Sequence, residues 1–406
     1  MADSAGVCFF VSLIPGKPTE ILTDWTGANP LEMTSVEYGD FCARTKVKGS
    51  RPWALERYRR LFHQGITNDP LLTGWSLPPI VRTMVSESAE GRVVKFTQAV
   101  PGRRPEDPSL ETESVLIPMI GKKGRRTYTV CVSSQVGCAM GCGFCQTAQM
   151  GLIRSLSAAE IVAQWFAARH VVLPDPANGL DTEASVTNIV FMGMGEPLDN
   201  LDAVLRAISV LTDRRGPGLP MSKITVSTVG RIDGIRRINE KVLDEGWHRL
   251  GFAVSLNAPT DEIRSQIMPI NRAMPMRDLR AALLGRKVFG GFKYCFEYVL
   301  IPGVNDQREH ATRLGDFVLG RGEHAGERLE GLVNLIPYNP RDGSPWAAPE
   351  ETRVDDFMGW LAEEGVYAKR RRTKGRETMA ACGQLGNPSL KRPRSTRTAV
   401  TIGESI

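Results

Sequence analysis

No stretch of the 406-residue sequence approaches the roughly 18 consecutive apolar residues that a membrane-spanning helix requires. The apolar run Val7–Ile14 has no basic flank before it and no small-residue cleavage site after it. It reads as a buried strand, so the chain is expected in the cytoplasm with no membrane partner. No internal repeat stands out, and an excess of positive charge is confined to a single segment. The net charge is +6, yet Lys369–Arg397 holds ten basic residues and one acid, about +9, leaving the rest slightly acidic. Such a cluster can neutralise phosphates and supply sequence-independent nucleic-acid affinity, although a solvated tail has the same composition. With 42% hydrophobic and 24% charged residues the chain is an ordinary globular protein, long enough for two or three structural units.

The pattern that is present changes along the chain. Pro52–Gln64 reads as a helix with Trp53, Tyr58, Leu61 and Phe62 on an apolar face. The polar, proline-rich stretch Pro101–Pro108 reads as a linker. Beyond Ser114, short apolar runs alternate with longer amphipathic ones. Strands are expected at Thr127–Val132, Val186–Met192, Ile224–Ser227, Leu250–Leu256, Cys295–Ile301 and Leu332–Ile336. Helices are expected at Ala158–His170, Leu201–Thr212, Met276–Gly290 and Asp306–Leu319, with a last one at Val354–Glu364. Strand–helix alternation implies a parallel sheet, open or closed into a barrel, with functional residues just past the carboxyl ends of the strands.

Eight cysteines are present, at positions 8, 42, 131, 138, 142, 145, 295 and 382. Nothing points to secretion, and clustered thiols in a reducing compartment bind metal or do chemistry more often than they form disulfides. Cys138, Cys142 and Cys145 have Cys-x3-Cys-x2-Cys spacing amid small residues. Three thiolates on a four-iron cubane leave one iron open to a small chelating ligand. Zinc is the rival, but a structural site wants a fourth ligand, and no nearby His or second Cys pair supplies it.

Further polar groups gather at strand ends. Gly193, Met194, Gly195, Glu196 and Pro197 follow one expected strand, where glycines admit a ligand and a carboxylate can receive an ammonium group. Ser227, Ser255, Asn257 and Asn339 end others, and taken singly each suits ordinary turn chemistry.

With its cysteine spacing after a strand of an α/β repeat, the chain resembles the radical S-adenosylmethionine superfamily. The segment Cys131–Cys138, the Gly193–Pro197 box, Met268–Asn271, Ile336–Pro340 and Ala381–Leu385 narrow this to a resemblance with the RlmN/Cfr family of RNA adenine methyltransferases over about residues 50–386. The resemblance implies an α/β fold: a partial (β/α)6 radical-SAM barrel at residues 113–345. A small N-terminal helical accessory RNA-binding domain and linker (1–112) would precede it, and a C-terminal helix, catalytic-cysteine loop and basic tail (346–406) would follow. It also implies a 4Fe–4S cluster on Cys138, Cys142 and Cys145, whose open iron binds S-adenosylmethionine and yields a 5′-deoxyadenosyl radical. Gly195, Glu196, Ser227, Ser255, Leu256, Asn257 and Asn339 would line the cofactor site. The family commonly has His where this chain has Asn257.

By the same resemblance Cys382 is methylated by one S-adenosylmethionine, and a second supplies the radical that removes hydrogen from the S-methyl group. The carbon radical adds to an adenine carbon, and Cys131 resolves the adduct, leaving a Cys131–Cys382 disulfide. Glu113 matches the carboxylate that removes the ring hydrogen; a surface glutamate is the alternative. Adenine C2 offers no useful nucleophilic lone pair and no acidic proton, which is why the cofactor must supply the hard step. The implied reaction is C2 methylation of an adenosine in 23S ribosomal RNA, with transfer RNA as a second candidate substrate. A reductase supplying electrons, such as flavodoxin or ferredoxin, and a monomeric state are expected alongside it. Arg51, Arg57, Arg59 and Arg60 would add a second basic surface for RNA. C8 methylation of Cfr type, an iron–sulfur regulator, and a non-catalytic metal-binding RNA-binding protein are the alternatives.

Overall fold

The computed structural model describes residues 29–45, 51–67, 75–121, 124–287, 290–341, 343–371, 375 and 378–387. Three antiparallel strands, β1 (Ile80–Ser86), β2 (Val93–Val100) and β3 (Leu110–Ile120), begin a ten-stranded sheet. β4 (Arg126–Cys131) continues it antiparallel to β3. Two short antiparallel strands, β5 (Gln135–Val136) and β6 (Arg154–Ser155), form a separate two-stranded sheet. Then β7 (Val186–Phe191), β8 (Ile224–Thr228), β9 (Gly251–Ser255), β10 (Tyr294–Leu300) and β11 (Gly331–Pro337) follow, each parallel to its neighbour in the order β4-β7-β8-β9-β10-β11. The short β12 (Ala368–Arg370) pairs parallel with β11.

Periodicity alone could not choose between an open sheet and a barrel, but the side chains do. Thr129 of β4, Asn188 of β7, Cys295 of β10 and Asn334 of β11 all line one cavity, although β4 and β11 are separated by four intervening strands of the sheet. The six parallel strands are therefore curled into a partial barrel.

Two helices, α1 (Ser35–Arg44) and α2 (Arg51–Gln64), precede the sheet, and the single turn α3 (Gln146–Gln149) follows the cysteine triplet. The crossovers carry α4 (Ala158–Ala167), α5 (Leu201–Thr212), α6 (Ile232–Lys241), α7 (Asp261–Ile267), α8 (Met276–Leu284) and α9 (Arg308–Leu319); α10 (Glu351–Glu363) comes last. Caps explain their ends. Ser157 and Glu160 form a reciprocal capping box at the start of α4. Gly320, in the left-handed region at φ 72°, stops α9. The expected helix at Ala158–His170 is α-helical only to Ala167 and continues as a π-helical turn over Ala168–Val172. α8 ends at Leu284, short of the expected Gly290, because Gly285 follows it.

The amino-terminal part departs most from expectation. Pro101–Pro108 joins β2 to β3 within one sheet, so it is a hairpin connection rather than an interdomain linker. The expected boundary between residues 112 and 113 falls inside β3. Tyr58 and Phe62 of α2 share the main core with Trp165 and Phe166 of α4, and Arg206 of α5 pairs with Glu37 at 2.6 Å. Arg57 is buried against the Trp53 ring and so leaves the proposed basic surface to Arg51, Arg59 and Arg60. The expected strand at Val7–Ile14 and most of the basic tail lie outside the described residues. Among the described residues no helix is long and apolar enough to cross a membrane.

Candidate active site at the carboxyl ends of the strands

The loop after β4 brings Cys138, Cys142 and Cys145 to a cavity at the carboxyl ends of the parallel strands. Gly195, Glu196, Ser227, Ser255, Asn257 and Asn339 line the same cavity, and so does Cys382 from the far end of the chain. Around the triplet stands a small apolar cluster of Met140, Ala258, Ile267, Met268, Ile301 and Tyr338. Such a shell keeps water from a bound cluster and tunes its potential. Burial pushes the Cys138 and Cys142 thiols up from their ordinary value. Among the described residues no three Cys, His, Asp or Glu side chains close to the spacing of a single metal ion. The donor set instead suits a group whose metal atoms occupy separate corners, as in a cubane with three thiolates.

Backbone bonds from the segment after β4 fix the wall opposite. Ser134 N and Gln135 N both donate to Met194 O, at 2.9 and 3.1 Å, and Ser133 Oγ accepts from Met194 N at 2.8 Å. The Gln135 side chain accepts from Glu196 N at 2.9 Å. Gly195 sits at φ 101° with an added Cβ only 2.6 Å from Gln135 Cβ, so only glycine fits this close crossing. Glu196 is buried and accepts from Leu198 N at 3.0 Å and Val229 N at 2.9 Å. Burial nevertheless raises its carboxyl to about 7, outweighing those bonds. A cation arriving beside it would favour the charged form, the pairing expected of a carboxylate that receives an ammonium group.

Two candidates are placed differently from expectation. Leu256 is wholly buried in the main core and does not line the cavity; what it offers is its carbonyl, held by Arg264 Nε at 3.1 Å. Glu113 is not a surface residue: it is 4% exposed, on β3, and its carboxylate lies off the cavity wall. Lys95 Nζ reaches it at 2.7 Å, and Gly386 N donates to it at 3.0 Å. Asn257 does line the cavity, but its side-chain oxygen is already bound by Val299 N at 2.9 Å.

Cys382 is carried on a loop fastened from several sides. Gln146 N, next to Cys145, donates to Gly383 O at 2.7 Å, and Thr147 Oγ1 donates to Leu385 O at 2.5 Å. Gln384 Nε2 reaches Pro340 O at 3.1 Å. Arg371 feels Cys382, Glu297, Cys131 and Cys295 together. Burial pushes the Cys131 thiol up to about 12, with Cys382 adding to the rise and Arg371 opposing it. Among the described residues every cysteine is a free thiol.

Sequence reasoning missed four groups that organise the site. Arg264 is fully buried and donates to Leu256 O, Val229 O, Ser255 O and the Asn271 side chain, tying the ends of β8 and β9 together. Glu297 accepts from Ser227 Oγ at 3.2 Å and faces Arg371 at 3.4 Å. Lys95 completes the set. Only the charge interrupting an apolar strand at Lys95 and Glu297 signalled anything in advance; Arg264 and Arg371 sit in ordinary polar surroundings of the sequence.

Comparison with known proteins accords with this geometry. A model of the Radical SAM superfamily matches residues 132–314. A probable dual-specificity RNA methyltransferase RlmN 1 from Protochlamydia amoebophila is 43% identical over 357 residues, 88% of each chain. The dual-specificity RNA methyltransferase RlmN of Phenylobacterium zucineum is 34% identical over 89% of each. The crystal structure of a radical SAM methyltransferase from Sphaerobacter thermophilus superposes with a TM-score of 0.72 at 32% identity, covering 87% of this chain and 98% of that one.

Proposed function

We propose, for a chain that belongs to the RlmN family of RNA methyltransferases within the radical S-adenosylmethionine superfamily, that it methylates C2 of an adenosine through a methyl-cysteine on Cys382. The chain is accordingly an enzyme, a radical S-adenosylmethionine RNA methyltransferase. The observation that carries the finer reading is that Cys382, remote in sequence, lines the cavity of the cysteine triplet and the strand-end polar groups.

In this reading Cys138, Cys142 and Cys145 hold a 4Fe–4S cluster, and the strand-end groups with Glu196 hold S-adenosylmethionine. When bound, these supply a transferable methyl group and, from a second S-adenosylmethionine, a hydrogen-abstracting radical. Cys382 accepts the methyl on sulfur and presents its carbon to the adenine ring. Glu113 is the base for the ring proton, and the one electron that the ring adduct must lose with it would go to a bound cluster. Cys131 then attacks the Cys382 sulfur: the sulfur–carbon bond breaks, its electron pair stays on carbon, and a proton completes the methyl group on the base. The resulting Cys131–Cys382 disulfide is returned to two thiols by an external reductant. Arg371 beside both sulfurs favours their thiolate forms. A reductase supplying electrons, such as flavodoxin or ferredoxin, a monomeric state, and 23S ribosomal RNA with transfer RNA as substrates complete the reading. The exposed bases of RNA loops are where a modified base can leave its stack.

Mass mapping of total RNA with and without the chain tests this. Loss of 2-methyladenosine from ribosomal RNA is expected. Its retention, or loss of 8-methyladenosine instead, sinks the assignment.

A further inference from the structure

Lys95 lies on β2 with a 5% exposed side chain, too deep to meet phosphate. A buried ammonium is costly unless it is paired and hydrogen-bonded, and an apolar residue of similar volume is often as stable in such a place. Its contacts suggest what it does. The ammonium grips the Glu113 carboxylate at 2.7 Å and donates to Met379 O at 3.1 Å, while the same carboxylate oxygen accepts from Gly386 N at 3.0 Å. Met379 and Gly386 lie three residues before and four after Cys382. The ion pair therefore holds both ends of the short loop that carries the thiol.

The loop is shaped to need such a clasp. Met379 adopts φ 51°, a left-handed conformation uncommon for a side chain of its kind and kept only where surroundings fix it. Thr378 Oγ1 bonds Ser86 Oγ at 3.3 Å, so the same end of the loop is also docked on β1. We propose that Lys95 is a positioning residue of the methyl transfer: through Glu113 and the Met379 carbonyl it clasps the Cys382 loop onto the β2–β3 ledge and aims the thiol into the cavity. This rests on the reading of Cys382 as methyl carrier.

Lys95→Met alone would leave the Glu113 charge buried and unpaired, so the test uses Lys95→Met/Glu113→Gln, which removes both charges and keeps an acceptor for Gly386 N, beside Lys95→Arg. Two readouts are taken. In cluster-free protein, amide hydrogen exchange over residues 378–387 is expected to rise about tenfold in the double variant while peptides of β9 to β11 keep their protection. After reconstitution with iron and sulfide, the rate at which Cys382 gains a labelled methyl group from S-adenosylmethionine, read by mass, is expected to fall about tenfold or more, since small misplacements of a reacting group are costly. The role assigned to Glu113, taking the ring proton, comes only after that first step. Lys95→Arg should restore most of both. Wild-type loop protection together with a wild-type methylation rate in the double variant overturns the clasp, and so does a loss of protection spread evenly over the sheet. A wild-type chain that never gains methyl on Cys382 takes down the underlying reading and the clasp with it.

Discussion

Cys138, Cys142 and Cys145 come from eight consecutive residues set in an apolar shell, with the strand-end walls beside them held by backbone bonds. Cys382 faces them across the same cavity from a loop whose Ala380 and Leu385 join the main core. It is held by a charged pair from β2 and β3, by the turn after Cys145, and by Pro340. One wall is local in sequence and apolar; the other is assembled from distant polar groups. The first can form as soon as the barrel does. The second exists only once four separate elements have docked, which suits a thiol that must be aimed rather than merely presented.

The harshest way to break this contrast is to remove the local wall. Cys142→Ala should abolish RNA methylation and Cys382 methylation together, with iron content and visible absorbance falling to background. Iron retained at the wild-type level would mean that the triplet is not the cluster site. Next comes the partner thiol. Cys131→Ala should leave cluster and Cys382 methylation intact yet stall after one turnover with protein joined to RNA, visible as a shifted band on a denaturing gel. Recovery of only free protein would remove Cys131 from the resolving role.

A smaller effect separates the charged wall from the apolar one. Burial pushes the Cys382 thiol up, Arg371 pulls it down, and Glu297 and Cys145 push it up again; Cys131 is the other titrating neighbour. Arg371→Met removes the only lowering influence among these, so the thiolate should appear at higher pH. Alkylation of Cys382 by iodoacetamide, which requires the thiolate, should then run several-fold slower near about pH 8, and its pH profile should move to higher pH. An unmoved profile would reduce Arg371 to an anchor through its 2.8 Å bond from its backbone N to Leu335 O.

The same contrast explains what the sequence disclosed. The parallel strands were legible because each is a short apolar run between amphipathic segments, and the triplet because its spacing is compact. β1 to β3 escaped notice because their side chains alternate weakly and the Pro101–Pro108 connection looked like a boundary. α6 was missed despite buried Ile232, Ile235 and Ile238, since its charged residues outnumber them. Arg264 could not be read at all, and Lys95 showed only as a charge within an apolar strand: their partners are backbone carbonyls and a carboxylate brought near only by the fold.

The mildest test concerns Asn257, where the resemblance in sequence leads to an expectation of His. Its backbone sits at φ 56°, a left-handed conformation in which Asn, Asp and His are all enriched. Its side-chain oxygen accepts from Val299 N at 2.9 Å and its carbonyl accepts from Asn305 Nδ2 at 2.8 Å, so the residue braces the end of β9 against β10. A histidine ring nitrogen can accept in the same place. Asn257→His should therefore cost no more than about 1 kcal/mol in urea unfolding, the worth of one ordinary hydrogen bond. The apparent affinity for S-adenosylmethionine should change by less than about threefold, since one neutral bond at most is exchanged. A tenfold loss of cofactor affinity at unchanged stability would mean that Asn257 touches the cofactor directly. The strand-end wall would then depend on individual side chains as much as the Cys382 loop does, and the distinction between the two walls would fail.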